Sequence, residues 1–384
     1  MTGRKASRIS RRRLLASTGV IGFGFLSGCS SDSVSPREDT GNDISTSISS
    51  TTSAEGTLDS QSPELRWDAV AGARMGNGHH FPSPVILNDT LVVVSGLNDA
   101  GLIEGYNSET GERQWSQSTQ TSMNSNHQLP SNDSVVIVPS ESGLSAVSAT
   151  GEVMWSDDIR LSGDIMGTDE LFYIPKYNGV EARSFDGSQQ WTWESDSSIY
   201  SLGGDSNTLF TKSGTSLYAL DAIDGTVKWT FRTRMEPSTP PIVKNGLLIV
   251  GREDGQLTAL YEDTHEEAWS IDLDSSISTP ITVGESNIYA AGWSYPLHAI
   301  NPEDGSINWT FDPSYQTVSP VSETDGTAYM SSDMGVLFAR NSDDGRPKWS
   351  FEMGSASWAP PLLREEQIYA TSDDGGIYNL IQPD

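Results

Sequence analysis

The sequence predicts an all-β fold, an eight-bladed β-propeller whose blades are four-stranded antiparallel sheets. The first observation behind this prediction is a regular spacing of tryptophans, with successive gaps of 48, 40, 36, 38, 40, 40 and 40 residues. A fixed period of about 40 residues is typical of repeated supersecondary units. The tryptophans with this spacing are Trp67, Trp115, Trp155, Trp191, Trp229, Trp269, Trp309 and Trp349.

The second observation is a hairpin motif inside each repeat. Residues 217–229 read Leu-Tyr-Ala-Leu-Asp-Ala-Ile-Asp-Gly-Thr-Val-Lys-Trp, and residues 297–309 and 337–349 follow the same pattern. Glycine supplies the positive φ of a tight turn, and the flanking Asp or Asn bonds its own backbone. A further strand pair precedes the hairpin, as in residues 240–251. Each repeat therefore supplies four strands, which favours a propeller over an open β-sandwich.

The two ends of the chain together complete the eighth blade. Residues 360–381 supply three strands but no tryptophan strand, whereas residues 64–67 supply an isolated tryptophan strand. We expect the N-terminal strand to complete the last blade, because this closes the ring and leaves no open sheet edge. No segment shows apolar residues at a sustained period of 3.6, which argues against α/β folds.

The repeat resembles that of pyrroloquinoline-quinone (PQQ)-type propellers over nearly all of residues 63–384, and is least regular at residues 181–191. The resemblance implies that each repeat tryptophan has a structural role, docking between neighbouring blades near a small residue of the repeat. In the clearest copies that small residue is Ala219, Ala259, Ala299 or Ala339.

The first 28 residues have the pattern of an export signal. Six basic residues and no acid precede an uncharged stretch at 14–28, which would span about 22 Å as a helix, too short for a bilayer core. Arg11 and Arg12 resemble a twin-arginine motif. Residues 26–29 resemble a lipobox ending in Cys29, the only cysteine. We therefore expect a lipid on Cys29 that holds the protein on the cell membrane, facing outside.

Residues 29–62 form a Ser/Thr-rich tract with few large apolar side chains. Such a composition cannot bury enough apolar surface to fold, which predicts a disordered tether. The predicted organisation is thus a signal peptide at 1–28, a lipidated tether at 29–62 and a propeller at 63–384.

The charge balance excludes some partners. Residues 1–28 hold six of the 23 basic residues, so the rest of the chain carries 17 basic against 52 acidic groups, a formal charge of −35. Nucleic acid is therefore a poor partner. An acidic surface spread over every repeat resembles proteins of extreme halophiles, and with the twin-arginine motif it suits a haloarchaeal host.

Some residues depart from the repeat and are candidates for function. We expect the innermost strands to run just before the Ser/Thr-Pro pairs, such as Thr239-Pro240. The candidates near these pairs are His79, His80, His127 and Trp358, as channel lining or ligand contacts. Trp293 replaces the usual turn of its blade and is a candidate interaction residue. Sequons predict possible N-glycosylation at Asn88, Asn132 and Asn308.

The PQQ-type resemblance first implies a quinoprotein dehydrogenase with PQQ and calcium at the channel mouth. Those enzymes carry a vicinal cysteine pair and long inserted loops, and this sequence has neither. No catalytic triad, phosphate loop or metal-ligand spacing occurs, so we assign no catalytic residue, metal or cofactor.

The leading hypothesis is an extracellular, lipid-anchored scaffold that binds other proteins. It is similar to the propeller lipoprotein of the bacterial outer-membrane assembly machinery, although an archaeal host would lack that membrane. A quinone- or small-ligand-binding propeller and a component of the cell-surface layer are the alternatives.

Overall fold

The computed structural model confirms the predicted fold class. It describes residues 62–383 apart from 73–80, 98–99, 120–128, 141–142, 215, 233–238, 240, 274–275, 278, 293–295 and 315–317. These residues form eight antiparallel sheets that are the blades of a propeller. Seven sheets have four strands, and in the second blade a single bridge between Ser131 and Val136 stands in place of the innermost strand.

The strands follow one another as up-and-down meanders, and each blade runs from the channel outwards. In chain order they are β1 Glu64–Val70, β2 Val85–Leu87, β3 Thr90–Leu97, β4 Ala100–Asn107, β5 Arg113–Thr119, β6 Val135–Ser140, β7 Gly143–Ser148, β8 Val153–Asp157, β9 Met166–Gly167, β10 Leu171–Lys176, β11 Gly179–Ser184, β12 Gln189–Glu194, β13 Leu202–Gly204, β14 Thr208–Ser213, β15 Ser216–Asp221, β16 Val227–Arg232, β17 Ile242–Lys244, β18 Leu247–Gly251, β19 Gln256–Tyr261, β20 Glu267–Asp272, β21 Thr282–Val283, β22 Ile288–Ala290, β23 Leu297–Ile300, β24 Ile307–Phe311, β25 Ser322–Thr324, β26 Thr327–Ser331, β27 Val336–Asn341, β28 Pro347–Glu352, β29 Leu362–Arg364, β30 Gln367–Thr371 and β31 Gly376–Ile381.

The two chain ends meet in the eighth blade. β1 pairs antiparallel with β31, from Glu64 opposite Ile381 to Val70 opposite Gly376. The eighth sheet therefore contains β29, β30, β31 and β1, as the sequence predicts. Because the N-terminal strand is the outermost strand of the last blade, it closes the ring and covers the edge of β31.

Burial explains the difference between inner and outer strands. β18 is buried along its whole length, because both of its faces pack against neighbouring blades. In β16 the half-buried residues Trp229 and Phe231 alternate with exposed ones, because this outermost strand has one face towards solvent. The core is thus a series of clusters between adjacent blades, such as the one that joins Ile249 to Ile288.

Each repeat tryptophan with a described contact of its indole N–H reaches the next blade. Trp269 donates to the carbonyl oxygen of Pro302 at 3.0 Å, and Trp309 donates to that of Ser342 at 2.7 Å. The other such pairs are Trp67 with Ser108, Trp115 with Ala149, Trp155 with Phe185 and Trp191 with Ala222. The acceptor always lies at the turn between the third and fourth strands of the following blade.

A glycine in that same turn makes room for the tryptophan ring. A Cβ on Gly305 would lie 2.6 Å from Trp269, and its φ of 73° also favours glycine. Within one blade, Ala259 is the direct cross-strand partner of Trp269, and Ala219, Ala299 and Ala339 are paired with their tryptophans in the same way. Alanine therefore packs on the ring within the blade, and glycine packs on it from the next blade.

The sequence analysis placed the innermost strands just before the Ser/Thr-Pro pairs, and this prediction is wrong. These strands follow the Ser/Thr-Pro pairs: β2 follows Ser83-Pro84, β21 follows Thr279-Pro280 and β25 follows Ser319-Pro320. Proline lacks an N–H, so it stands before the first ladder hydrogen bond of a strand. The hydroxyl of Thr279 donates to the carbonyl oxygen of Ala291 at 2.8 Å, which ties the connection to the second strand of its blade.

The propeller has two different faces. One face carries the connections between blades and the turns between second and third strands; we call it the connection face. The other carries the remaining turns of each blade; we call it the hairpin face. Within the described part of the chain, no helix has the length and apolar character needed to span a bilayer.

Candidate functional site in the central channel

The innermost strands enclose a channel along the propeller axis. Its volume is about 640 Å³, and residues from the second to the eighth blade contribute to its wall. At the connection face the wall includes Tyr200, Asp164 and Thr239, and towards the hairpin face it includes Asp169 and Thr282. This volume lies in the range of small-molecule sites.

The wall is made mostly of small, apolar and backbone groups. Gly167, Gly203 and Gly204 bring main chain to the surface, and several prolines complete it. The charged side chains among the described wall residues are Asp164 and Asp169, with no lysine or arginine beside them. Such a wall suits neutral or cationic molecules more than anions.

The repeat resemblance implies a PQQ cofactor, which the wall residues would have to hold. PQQ carries carboxylates, and carboxylates removed from water need cationic or hydrogen-bond-donating partners. The described wall offers hydroxyl donors but two carboxylates and no cationic side chain, so it lacks the charge partner that the carboxylates of this cofactor need. Among the residues that the structure describes, no group of three or more His, Cys, Asp and Glu side chains is arranged to hold a metal ion.

The sequence-based candidates fall in several places. Trp358 is half-buried in the connection between β28 and β29, close in sequence to Pro360, which does line the channel. His79, His80, His127 and Trp293 lie outside the described residues, and so do Cys29, Arg11, Arg12 and almost all of the predicted tether.

The three sequons differ in their surroundings. Asn88 is exposed in the turn between β2 and β3, with a φ of 54°. The side-chain oxygen of Asn132 accepts hydrogen bonds from the backbone N–H groups of Ser134 and Val135, at 2.9 and 3.0 Å. Asn308 is exposed in β24, and its amide donates to Asn287 at 2.8 Å.

The sequence analysis did not single out two histidines, one of which packs against the preceding blade and one of which is buried beside a strand of its own blade. His265 stands where the other clear repeats have the turn glycine, with a φ of 57°, and its ring lies 4.4 Å from the ring of Trp229. His298 is buried in β23, and its Nδ1 lies 3.1 Å from the hydroxyl of Thr310. Burial lowers the pKa of His298, because an imidazolium loses its hydration there.

The first and third blades each bury a carboxylate. Glu104 accepts a hydrogen bond from Arg113 at 2.8 Å, and Glu181 accepts from Lys176 at 2.9 Å and from Arg183 at 2.6 Å. For Glu181, burial would raise the pKa, but the hydrogen bonds and charges of these two cations outweigh burial and lower it. Glu181 departs from the repeat within residues 181–191, so its irregular sequence was the available signal.

The connection face also carries exposed aromatic side chains that the sequence analysis missed. Tyr177, in the turn between β10 and β11, is 58% exposed, and Tyr200, between β12 and β13, is 65% exposed. Tyr200 lies at the mouth of the channel. Tyr177 precedes Asn178 in a turn where the fifth blade has Glu253-Asp254 and the eighth has Asp373-Asp374, and an aromatic in place of an acid was a detectable signal.

The sequence profile of one family covers nearly the whole propeller. The family described as outer membrane protein assembly factor BamB matches residues 41–173, 178–310 and 294–382. No functionally curated protein matches the chain significantly.

Solved structures with the same architecture have low sequence identity to the chain. BamB from Moraxella catarrhalis is 16% identical with a TM-score of 0.66, and the match covers 83% of this chain and 100% of that one. The computationally designed Ika8 protein is 10% identical with a TM-score of 0.65, covering 82% and 100%. Quinohemoprotein alcohol dehydrogenase from Comamonas testosteroni is 12% identical with a TM-score of 0.62, covering 83% and 76%. At these identities the likeness concerns the fold alone.

Proposed function

The chain belongs to the family of outer membrane protein assembly factor BamB, and we propose that it works as a non-catalytic scaffold that binds other proteins outside the cell. The observation that carries this proposal is the family match over the propeller together with a channel wall that does not suit a quinone. A rigid ring of blades with many surface turns presents binding loops on a fixed framework.

The proposal includes an anchored location. The twin-arginine pattern with Arg11 and Arg12 exports the folded propeller, and a lipid on Cys29 holds it at the outer surface of the cell membrane. The 33 residues from 30 to 62, after Cys29, reach about 30 Å on average as a flexible chain. The acidic surface suits a haloarchaeal host, and in such a host the partner is a different protein from any in a bacterial outer membrane.

A second candidate function is a small-ligand-binding propeller. The volume of the channel favours it, because about 640 Å³ accommodates a small molecule. The described part of the wall, whose charged side chains are Asp164 and Asp169, favours neutral or cationic ligands.

One preparation distinguishes the two functions. The full-length lipoprotein is isolated from its own membranes in high salt, and the denatured material is assayed for any released small molecule by mass spectrometry, for a quinone chromophore and for calcium. We expect none of these at one per chain, and we expect another protein to co-purify at a constant ratio. A quinone near one per chain would overturn the scaffold function and indicate a dehydrogenase.

A further inference from the structure

Most of the lysine and arginine side chains in the described part of the propeller are bonded to a polar group. Fourteen lysines and arginines lie in the described part of the chain, and the side chains of eleven bond a carboxylate, a carbonyl or another polar group. Among these described cations, three side chains have no such partner. They are Arg160, Lys212 and Arg232.

These three cations share one sector of the connection face. Arg160 lies in the connection that leads from β8 into the third blade, and Lys212 and Arg232 lie at the ends of β14 and β16 in the fourth blade. Tyr177 and Tyr200 lie in the same sector, at the turn of the third blade and in the connection that follows it. We call these five residues the Tyr/Arg sector.

The backbone beneath the Tyr/Arg sector is held by contacts between its loops. The N–H of Ile199 donates to the carbonyl oxygen of Lys176 at 3.2 Å, and the N–H of Ser162 donates to that of Pro175 at 3.1 Å. A Cβ on Gly163 would lie 2.0 Å from the carbonyl oxygen of Tyr200, so two connections approach closely here. A surface fixed in this way loses little conformational entropy when a partner binds.

The hairpin face differs from the connection face in its charge and in carrying the point where the N-terminal segment joins the ring. Seven of the eight turns between first and second strands carry a carboxylate, and these are the turns with Asp89, Asp133, Asp169, Asp205, Glu285, Asp325 and Glu365. β1 begins at Glu64 beside Ile381, at the hairpin face, so the N-terminal segment joins the ring there. The Tyr/Arg sector is therefore on the face away from the attachment of that segment.

We propose that the Tyr/Arg sector is the docking site for a protein partner that presents a carboxylate-rich segment, an inference that rests on the scaffold function proposed above. Exposed carboxylates, including Asp158 and Asp196 in this sector, are the general condition of a chain with 52 acids. Unbonded cations are the exception, so this sector offers an acidic segment counter-charges that the rest of the described surface lacks. Tyrosine and arginine are also the residues enriched at binding hot spots.

The test places a photoreactive benzoylphenylalanine at Tyr177 or Tyr200 of the full-length protein in its own membranes. Tyr261 is the matched control, because it is 49% exposed and lies at the hairpin end of β19. We expect both connection-face positions to crosslink to one protein, through a peptide with more acidic than basic residues, and Tyr261 to give no such product.

Charge reversal tests whether the cations recognise the partner or whether the crosslinking side chain merely lies near another protein. We expect the double variant Arg160→Glu/Arg232→Glu to lower the crosslinking yield about tenfold, the effect of roughly 1.4 kcal/mol. Arg346→Glu is the control, because Arg346 is an exposed cation in a hairpin-face turn, and its yield should stay unchanged. Thermal unfolding checks that both variants remain folded.

The outcomes distinguish this site from the proposed function. Crosslinks to lipid, to a second copy of the chain or only from Tyr261 would overturn the docking site and leave the scaffold function standing. If the lipoprotein forms protein crosslinks from no surface position and has no co-purifying protein, the scaffold function itself fails.

Discussion

Single glycines and tryptophans determine how closely adjacent blades pack. Gly305 has a φ of 73°, and Gly246 has a φ of 74°, so both positions disfavour a side chain to a similar degree. Only Gly305 lies against an aromatic ring, because a Cβ on Gly246 would meet nothing within 4 Å. His265 shows that another residue can occupy such a turn when its ring packs on the tryptophan of the preceding blade.

This pair of glycines gives a direct comparison of backbone strain with steric conflict. We expect Gly246→Ala to cost about 1 kcal/mol of unfolding free energy from backbone strain alone. Gly305→Ala should cost about 1–3 kcal/mol more, because the new methyl group displaces Trp269. Denaturant unfolding of both variants in high salt measures the difference. Equal losses for the two variants would show that the ring shifts without cost.

A buried histidine makes stability depend on pH. The pKa of His298 is lowered in the folded protein, so below about pH 6.5 the unfolded chain binds this proton more readily. The contribution of His298 to the unfolding free energy is fully present above about pH 6.5. It is lost as pH falls towards the pKa of His298 in the folded protein, by at most about 1.4 kcal/mol per pH unit.

Replacing His298 by threonine should make the acid loss smaller. Thr258 occupies the matching position of the fifth blade and lies 3.1 Å from the hydroxyl of Ser270. We expect His298→Thr to show a smaller fall in unfolding midpoint between pH 7 and pH 5 than the parent protein. Measurements at pH 8, where the imidazole is neutral in both states, give the reference. An unchanged pH slope would contradict the role of His298.

At the scale of strands, ring closure depends on β1. Trp67 in this strand is 9% exposed, donates to Ser108 at 3.0 Å and packs beside Tyr369. The strand therefore joins the first and eighth blades, which are far apart in sequence. Without β1, the edge of β31 is left unpaired and open to other chains.

Two deletions test this closure. Removal of residues 1–61 should leave the unfolding midpoint of the propeller nearly unchanged, because β1 is kept. Removal of residues 1–70 should lower the midpoint strongly and promote self-association, because the buried Trp67 is lost, a contribution of about 3–5 kcal/mol. Size-exclusion chromatography and thermal unfolding report both effects, and addition of a peptide of residues 62–72 should restore the monomer. Two deletions of equal stability would exclude closure by β1 as a major contribution.

The sequence predicted the strands of the hairpin motif correctly, but it did not predict where the innermost strand of each blade begins. The hairpin motif located β15 with β16 and β27 with β28, because turn glycines and alternating burial are local properties. The innermost strands were placed on the wrong side of the Ser/Thr-Pro pairs, because these strands are only two or three residues long. So short a segment has too little periodicity to be placed from its sequence.

At the scale of the whole molecule, charge repulsion opposes the compact state. Outside residues 1–28 the chain has a formal charge of −35, with acidic residues in every repeat, and most of the described cations are already bonded. Molar salt shortens the screening length to about 3 Å and weakens repulsion between exposed carboxylates.

We therefore expect the unfolding midpoint to rise between 0.1 M and 2 M sodium chloride. Sucrose at the same water activity is the control, because it strengthens apolar burial without screening charge. Thermal unfolding followed by circular dichroism measures both series. If sucrose gave the same rise as salt, charge repulsion would not be the main cause of the salt dependence.

The sequence by itself determined the all-β class, the number of blades and the closure of the ring. The physical reason is that turn glycines and alternating polarity are local properties, and the tryptophan period can be counted along the chain. Only the tertiary structure decided that Gly305 packs on Trp269, which cations remain unbonded and which residues form the channel wall. The glycine–tryptophan contact and the channel wall depend on contacts between residues about one repeat or more apart, and no local pattern specifies them.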